Sequence, residues 1–113
     1  MAINIRALFD QAEALSNRAK CNRAKVGCII ADENGHLISG GFNFGYCSGI
    51  NCPALNGEVS CNTIHAEMAA IENAPLGRID EAYYAIVTKK PCDKCNEALK
   101  KFGIKFIIYS EAI

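Results

Sequence analysis

The stretch YYAIVTKKPCDKCNEALKKFGIKFIIY, Tyr83 to Tyr109, decides the fold. Tyr83 to Thr88 is β-branched and aromatic enough to read as a strand. Pro91 to Phe102 reads as a helix that opens behind a proline and stops at Gly103, and Ile104 to Tyr109 is a second apolar strand. Strand, helix and strand within about two dozen residues make a βαβ crossover, so these two strands run parallel.

Working outward, Val26 to Ala31 and His36 to Phe42 are apolar runs joined by Asp32-Glu33-Asn34-Gly35, and Asn-Gly is a strong signal for a hairpin turn. An antiparallel pair follows. Upstream, Ile5, Leu8, Phe9, Ala12, Leu15 and Ala19 recur at helical spacing, which predicts an amphipathic helix over residues 3 to 20. Between the hairpin and the crossover, Asn43 to Asn62 has four glycines or prolines and three cysteines without a sustained period, and reads as a long loop. Asn62-Thr63 offers N-cap chemistry for a short helix through Ala74, stopped by Pro75 and Gly77. The order is α-β-β-α-β-α-β: an α/β protein with a mixed sheet of about four strands and helices packed on it. There is no internal repeat, low-complexity tract or linker.

At 113 residues the chain fits one domain, 1–113. Twelve basic against twelve acidic residues leave no net charge, so no overall field draws in long nucleic acid. Neither a signal-peptide segment nor an apolar run of membrane-spanning length stands out, and the expectation is a cytoplasmic protein with no membrane partner. Seven cysteines in a secreted chain would suggest disulfides. With an odd count and no export signal, closely spaced cysteines read better as metal ligands and isolated ones, such as Cys28, as small core residues.

The chemistry lies in His65-Ala66-Glu67 at one helix start and Pro91-Cys92-Asp93-Lys94-Cys95 at another. Cys92 and Cys95, three apart, share a helix face in the first turn, where the helix dipole favours thiolates. His65 from the neighbouring helix completes three N/S ligands for Zn2+ and leaves a fourth tetrahedral position open, the mark of a catalytic rather than a structural site. Glu67 supplies a general acid/base. Residues two apart on a helix diverge by about 200°, because each turns about 100°, so Glu67 and His65 converge only if His65 still belongs to the entry turn. A carboxylate so placed takes a proton from water and returns protons to a ring nitrogen and a leaving amine. Bland alternatives stand beside this reading. A Cys-x-x-Cys pair also serves redox chemistry, a lone histidine is usually a packed residue, and Cys61 as a fourth ligand would make the zinc structural.

Taken together these residues resemble the zinc-dependent cytidine and deoxycytidylate deaminase superfamily. Lys25-Val26-Gly27-Cys28-Ile29-Ile30 is similar to its first strand, Gly41-Phe42-Asn43-Phe44-Gly45 to its Gly-Tyr-Asn-Gly segment, and Thr88 to Cys95 with Gly103 to Tyr109 to its Thr-x-x-Pro-Cys-x-x-Cys region and following strand. The likeness covers most of the chain and is strongest to deoxycytidylate (dCMP) deaminases. It implies the three-layer cytidine-deaminase-like fold and hydrolysis of the exocyclic amine of a small cytosine nucleotide. It further implies that Asn43 hydrogen-bonds the sugar, the backbone amide of Ala66 meets the base carbonyl, and Tyr109 stacks on or borders the base; as plain alternatives Asn43 is a turn residue and Tyr109 a strand-end aromatic. Arg23 and Lys25 are candidate phosphate contacts, or simply solvated. Some members carry a second, structural zinc, for which Cys47, Cys52 and Cys61 of the loop are candidates. Relatives of the dCMP type continue beyond the fourth strand into a helix and a fifth strand. This chain is expected to lack that extension, and the sheet edge so exposed predicts a homo-oligomer.

Two other functions compete with deamination of a free nucleotide or nucleoside. One is deamination of a base in nucleic acid, which requires a flipped or unpaired base and is disfavoured by the neutral charge. The other is a non-catalytic zinc-binding module, against which Glu67 speaks because zinc does not need it as a ligand.

Overall fold

The structure is a computed structural model that describes residues 4–19, 25–45 and 63–109. Helix α1 spans Ile5–Ser16 and is capped by Asn4, whose side-chain oxygen accepts from the Ala7 N–H at 3.1 Å. It is shorter than the predicted 3 to 20, because after Asn17 the chain tightens into single turns from Leu15 to Arg18 and Ser16 to Ala19. Strands β1 (Gly27–Ala31) and β2 (Leu37–Phe42) form the expected antiparallel hairpin, with Gly35 at a positive φ of 83°.

Two-residue strands β3 (Phe44–Gly45) and β4 (Thr63–Ile64) then pair antiparallel, so the presumed loop is bracketed by a small ribbon. Helix α2 runs over Ala66–Asn73, followed by a 3-10 helix at Leu76–Glu81, strand β5 (Tyr84–Val87), helix α3 (Asp93–Phe102) and strand β6 (Phe106–Tyr109). The N-cap residue of α2 is His65, in extended backbone, and not Thr63, which belongs to β4; Asn62 lies outside the described residues. The 3-10 helix was not expected, since Pro75 and Gly77 signal only a stop.

The main sheet has the order β2-β1-β5-β6, antiparallel except for the β5–β6 pair, which is parallel as the α3 crossover requires. Strand alternation sorts the core into two layers. Cys28 and Ile30 of β1 and Ala85 and Val87 of β5 pack with Ala66 and Ala70 of α2 and Leu99 of α3. Ile29, Ala31 and Ile86 face the other way, onto Leu8 and Ala12 of α1. Every residue of β1 is buried, because it is central and covered on both faces. Helices on both sides of one mixed sheet give the three-layer arrangement that was expected.

The sheet has two chemically different ends. At one end lie Gly27, Asn43, Thr88 and the starts of α2 and α3; at the other lie the Asp32–Gly35 turn, Arg78 and the Tyr83, Tyr84 and Phe106 rings, whose centroids are 4.7 to 5.8 Å apart. Among the described residues no helix is long and apolar enough to cross a membrane.

Candidate active site

Two helix starts converge at the first of these ends. Cys92 is the N-cap residue of α3 and Cys95 its third helical residue, so both thiols point from one turn. His65 holds the equivalent N-cap place on α2 and turns its Nδ1 toward them: Nδ1 is 3.8 Å from Cys92 Sγ and 3.4 Å from Cys95 Sγ. The three ligand atoms all lie within 4.8 Å of one another. Tetrahedral zinc with ordinary bond lengths sets its sulfur and nitrogen donors about 3.5 Å apart, so His65 Nδ1 already stands at coordination distance from both sulfurs. The residues fit the metal, and Nδ1 is the ring nitrogen that would take it.

Glu67 is the second helical residue of α2 and is only 4 % exposed. His65 has extended backbone, φ −68° and ψ 151°, so it lies outside the helical progression that would have separated it from Glu67. Burial raises the Glu67 carboxyl above the usual carboxylate range, while its own backbone N–H and the nearby His65 pull the other way. Its charge bears in turn on Cys95, whose thiol is pushed up to about 12 by burial, then by Glu67 and by Cys92. The dipole of α3 was expected to favour thiolate here; at Cys95, burial and the adjacent carboxylate outweigh it. A metal held by Cys95 would displace that proton, so its affinity would rise with pH.

The other predicted residues divide. Ala66 is the first helical residue of α2, where the backbone N–H has no partner within the helix. Asn43 is buried at the end of β2 and is more than a turn residue: its Oδ1 accepts from the Val26 N–H at 2.8 Å, and its own N–H donates to the Val26 carbonyl at 3.2 Å. Tyr109 ends β6 opposite Val87, half-buried against the core that supports α2 and α3. Lys25 is exposed, and Cys28 is core as expected. Arg23 and the loop cysteines Cys47, Cys52 and Cys61 lie outside the described residues.

Two features escaped the sequence reading. Thr88 mirrors Asn43 across β1: its Oγ1 accepts from the Gly27 N–H at 3.1 Å and its N–H donates to the Gly27 carbonyl at 3.0 Å. Asn43 and Thr88 thus extend the ladder on both sides of Val26 and Gly27 and fix the strand beneath the site. The second is a cleft of about 610 Å³ between α2 and α3, lined by His65, Met68 and Glu72 and by Cys92, Cys95 and Lys101. Its walls have the helical i, i+3/i+4 spacing, visible in the sequence once both helices are placed side by side.

Comparison with known proteins agrees with this geometry. Residues 3–111 match the family described as the cytidine and deoxycytidylate deaminase zinc-binding region. The chain is 29% identical to a deoxycytidylate deaminase of Enterobacteria phage T2, over 88% of this chain and 76% of that protein. It is 26% identical to a deoxycytidylate deaminase of Schizosaccharomyces pombe, over 89% of this chain but 35% of the yeast protein's length. Among solved structures, the dCMP deaminase of cyanophage S-TIM5 in complex with dCMP and dUMP superposes with a TM-score of 0.66 at 27% identity, covering 92% of this chain and 78% of that one. On its sequence match, its three-layer fold and its His-Cys-Cys donor set, the chain belongs to the cytidine and deoxycytidylate deaminase family defined by this zinc-binding region.

Proposed function

We propose that the protein hydrolyses the exocyclic amine of a cytosine nucleotide, converting dCMP and water to dUMP and ammonia. The observation that carries this reading is the juxtaposition of three metal donors, His65 Nδ1, Cys92 Sγ and Cys95 Sγ, with the buried carboxyl of Glu67. When bound, zinc supplies Lewis acidity that makes water nucleophilic near neutral pH. Glu67 takes a proton from the attacking water and delivers it to the ring nitrogen beside the amine-bearing carbon. It then transfers the second proton to the exocyclic nitrogen, ammonia departs, and a carbonyl remains. A carboxyl whose burial raises its proton affinity is suited to both halves of that relay.

The Ala66 N–H is assigned to the base carbonyl, Asn43 to the sugar and Tyr109 to the edge of the base. Lys25, with Arg23, is assigned to the phosphate. The choice of dCMP is supported by the relatives, which bear the name deoxycytidylate deaminase. A homo-oligomer belongs to the same reading, supported by the open edge of β6, the outer strand of the main sheet among the described residues; sedimentation of a monomer at micromolar concentration would remove that part.

The test is a panel of dCMP, CMP, dCTP, cytidine, cytosine, adenosine and single-stranded DNA, followed by ammonia release. Turnover is expected to be highest on dCMP, and Glu67→Ala should keep its zinc while losing about 10²- to 10⁴-fold in rate. A wild-type protein that holds one zinc and turns over nothing on the panel would be a binding module instead.

A further inference from the structure

We infer that Gly41 is a positioning residue for the metal centre and Glu67, because its missing side chain is the seat on which the start of α2 rests. This rests on the proposed reaction only for its kinetic consequence, not for its structural one.

Gly41 is buried in β2, directly opposite Cys28 of β1. A Cβ built on it would lie 2.5 Å from the Ala70 nitrogen, 2.7 Å from the Ala69 Cβ and 2.8 Å from the Ala66 carbonyl oxygen. Ordinary contact begins at 3.4 Å, so α2 would have to withdraw by about 0.9 Å. Two of the three atoms are helix backbone, which cannot rotate aside as a side-chain end would. The helix itself is reduced to alanine where it meets the strand: Ala66, Ala69 and Ala70 are all buried. A separate contact holds the same turn down, since the Ser39 Oγ donates to the Ala70 carbonyl at 2.8 Å.

Ala66 is flanked by His65 and Glu67, so the depth at which it seats fixes both neighbours. Cys92 and Cys95 stand on α3, and none of the three atoms nearest a Cβ at Gly41 belongs to that helix. Lifting α2 alone therefore shears the histidine and the carboxylate away from the two sulfurs. Gly40 provides a natural comparison: its Cβ would meet the Leu15 Cδ1 at 2.7 Å, on the α1 face, where the obstacle is a flexible side chain and no ligand is carried.

The experiment compares Gly41→Ala, Gly40→Ala and Ser39→Ala in the full chain. Each is loaded with Co2+ to record the visible absorption of the ligand field, titrated for Zn2+ affinity, and assayed for kcat and KM. Gly41→Ala is expected to change the cobalt spectrum, weaken zinc about 10-fold or more, and lower kcat about 10²-fold with KM nearly unchanged. Gly40→Ala should lose thermal stability while keeping the wild-type spectrum and kcat. Ser39→Ala, which adds no atoms, should move spectrum and kcat in the same direction as Gly41→Ala but less, and decides the matter if Gly41→Ala does not fold. A wild-type spectrum and kcat in Gly41→Ala, or in Ser39→Ala when the former does not fold, overturns the inference, as does an equal spectral change in Gly40→Ala. If the wild type deaminates nothing on the panel, the functional reading fails while the cobalt spectra and zinc affinities still decide the role of Gly41.

Discussion

Asp32 shows how one side chain can hold a turn far from any chemistry. Its Oδ1 accepts from the backbone N–H groups of Asn34 and His36, both at 2.9 Å, and its Oδ2 lies 3.4 Å from Arg78 Nη2 and 3.6 Å from His36 Nδ1. Arg78 also donates to the Leu37 carbonyl at 3.0 Å, which ties the 3-10 helix to the hairpin. Burial acts to raise the Asp32 carboxyl, but the two N–H bonds and the neighbouring positive charges outweigh it and hold the group below its ordinary value of 3.8. A depressed folded-state value stabilises the fold above the unfolded value and loses that contribution as pH falls through the folded one. Asp32→Ala should therefore cost about 1 to 2 kcal/mol at neutral pH, and the gap to wild type should shrink below about pH 4. Urea unfolding at pH 7 and pH 3 checks this; a gap independent of pH would contradict it.

Among the elements, α3 was the most legible, since the proline ahead of it and the glycine at its exit are both local signals, although it begins at Asp93 rather than at Pro91, with Cys92 as its N-cap. Gly103 has φ 110° and donates its N–H to the Lys100 carbonyl, and a Cβ there would meet nothing within 4 Å. Any cost of Gly103→Ala is thus a backbone cost, expected at about 1 kcal/mol, with Gly103→Asn costing less because asparagine tolerates the left-handed region. Equal losses for the two variants would point to lost solvation or packing instead. The hairpin was legible for the same local reason, through Asn34-Gly35. The start of α2 was not. Asn62-Thr63 presents good cap chemistry, whereas His65 caps without a side-chain bond, and what places the boundary there is the pairing of Thr63 with Gly45. The donor set was readable from motif spacing, but the choice of Nδ1 depends on how two helices face each other. The seat at Gly41 was invisible for a related reason: a glycine in a strand looks like a weak strand residue until the helix above it is in place.

At the level of the molecule, a metal held by His65, Cys92 and Cys95 would tie together two helices that share a core and are joined along the chain through the 3-10 helix and β5. His65 and Cys92 are 27 residues apart, so a bound ion closes that whole segment into a loop. A ligand that binds only the folded state adds stability in proportion to the logarithm of its excess over Kd, about 2.7 kcal/mol at a hundredfold excess. Removing zinc with a chelator should lower the melting temperature by roughly 10 °C, and returning Zn2+ should restore it. Because Cys95 must lose a proton to bind, the zinc-dependent part of the shift should be larger at pH 8 than at pH 6. Differential scanning calorimetry at the two pH values measures it, and a shift of the same size at both would argue against Cys95 as a ligand.

The opposition of the sheet's two ends has a practical consequence. The rings of Tyr83, Tyr84 and Phe106 and the Asp32–Arg78 pair hold the hairpin end together, while Asn43 and Thr88 brace the strand beneath the two helix starts that carry His65, Glu67, Cys92 and Cys95. Substitutions that tighten the hairpin end should therefore harden the protein against heat without slowing it, whereas changes at the helix starts should alter stability and turnover together.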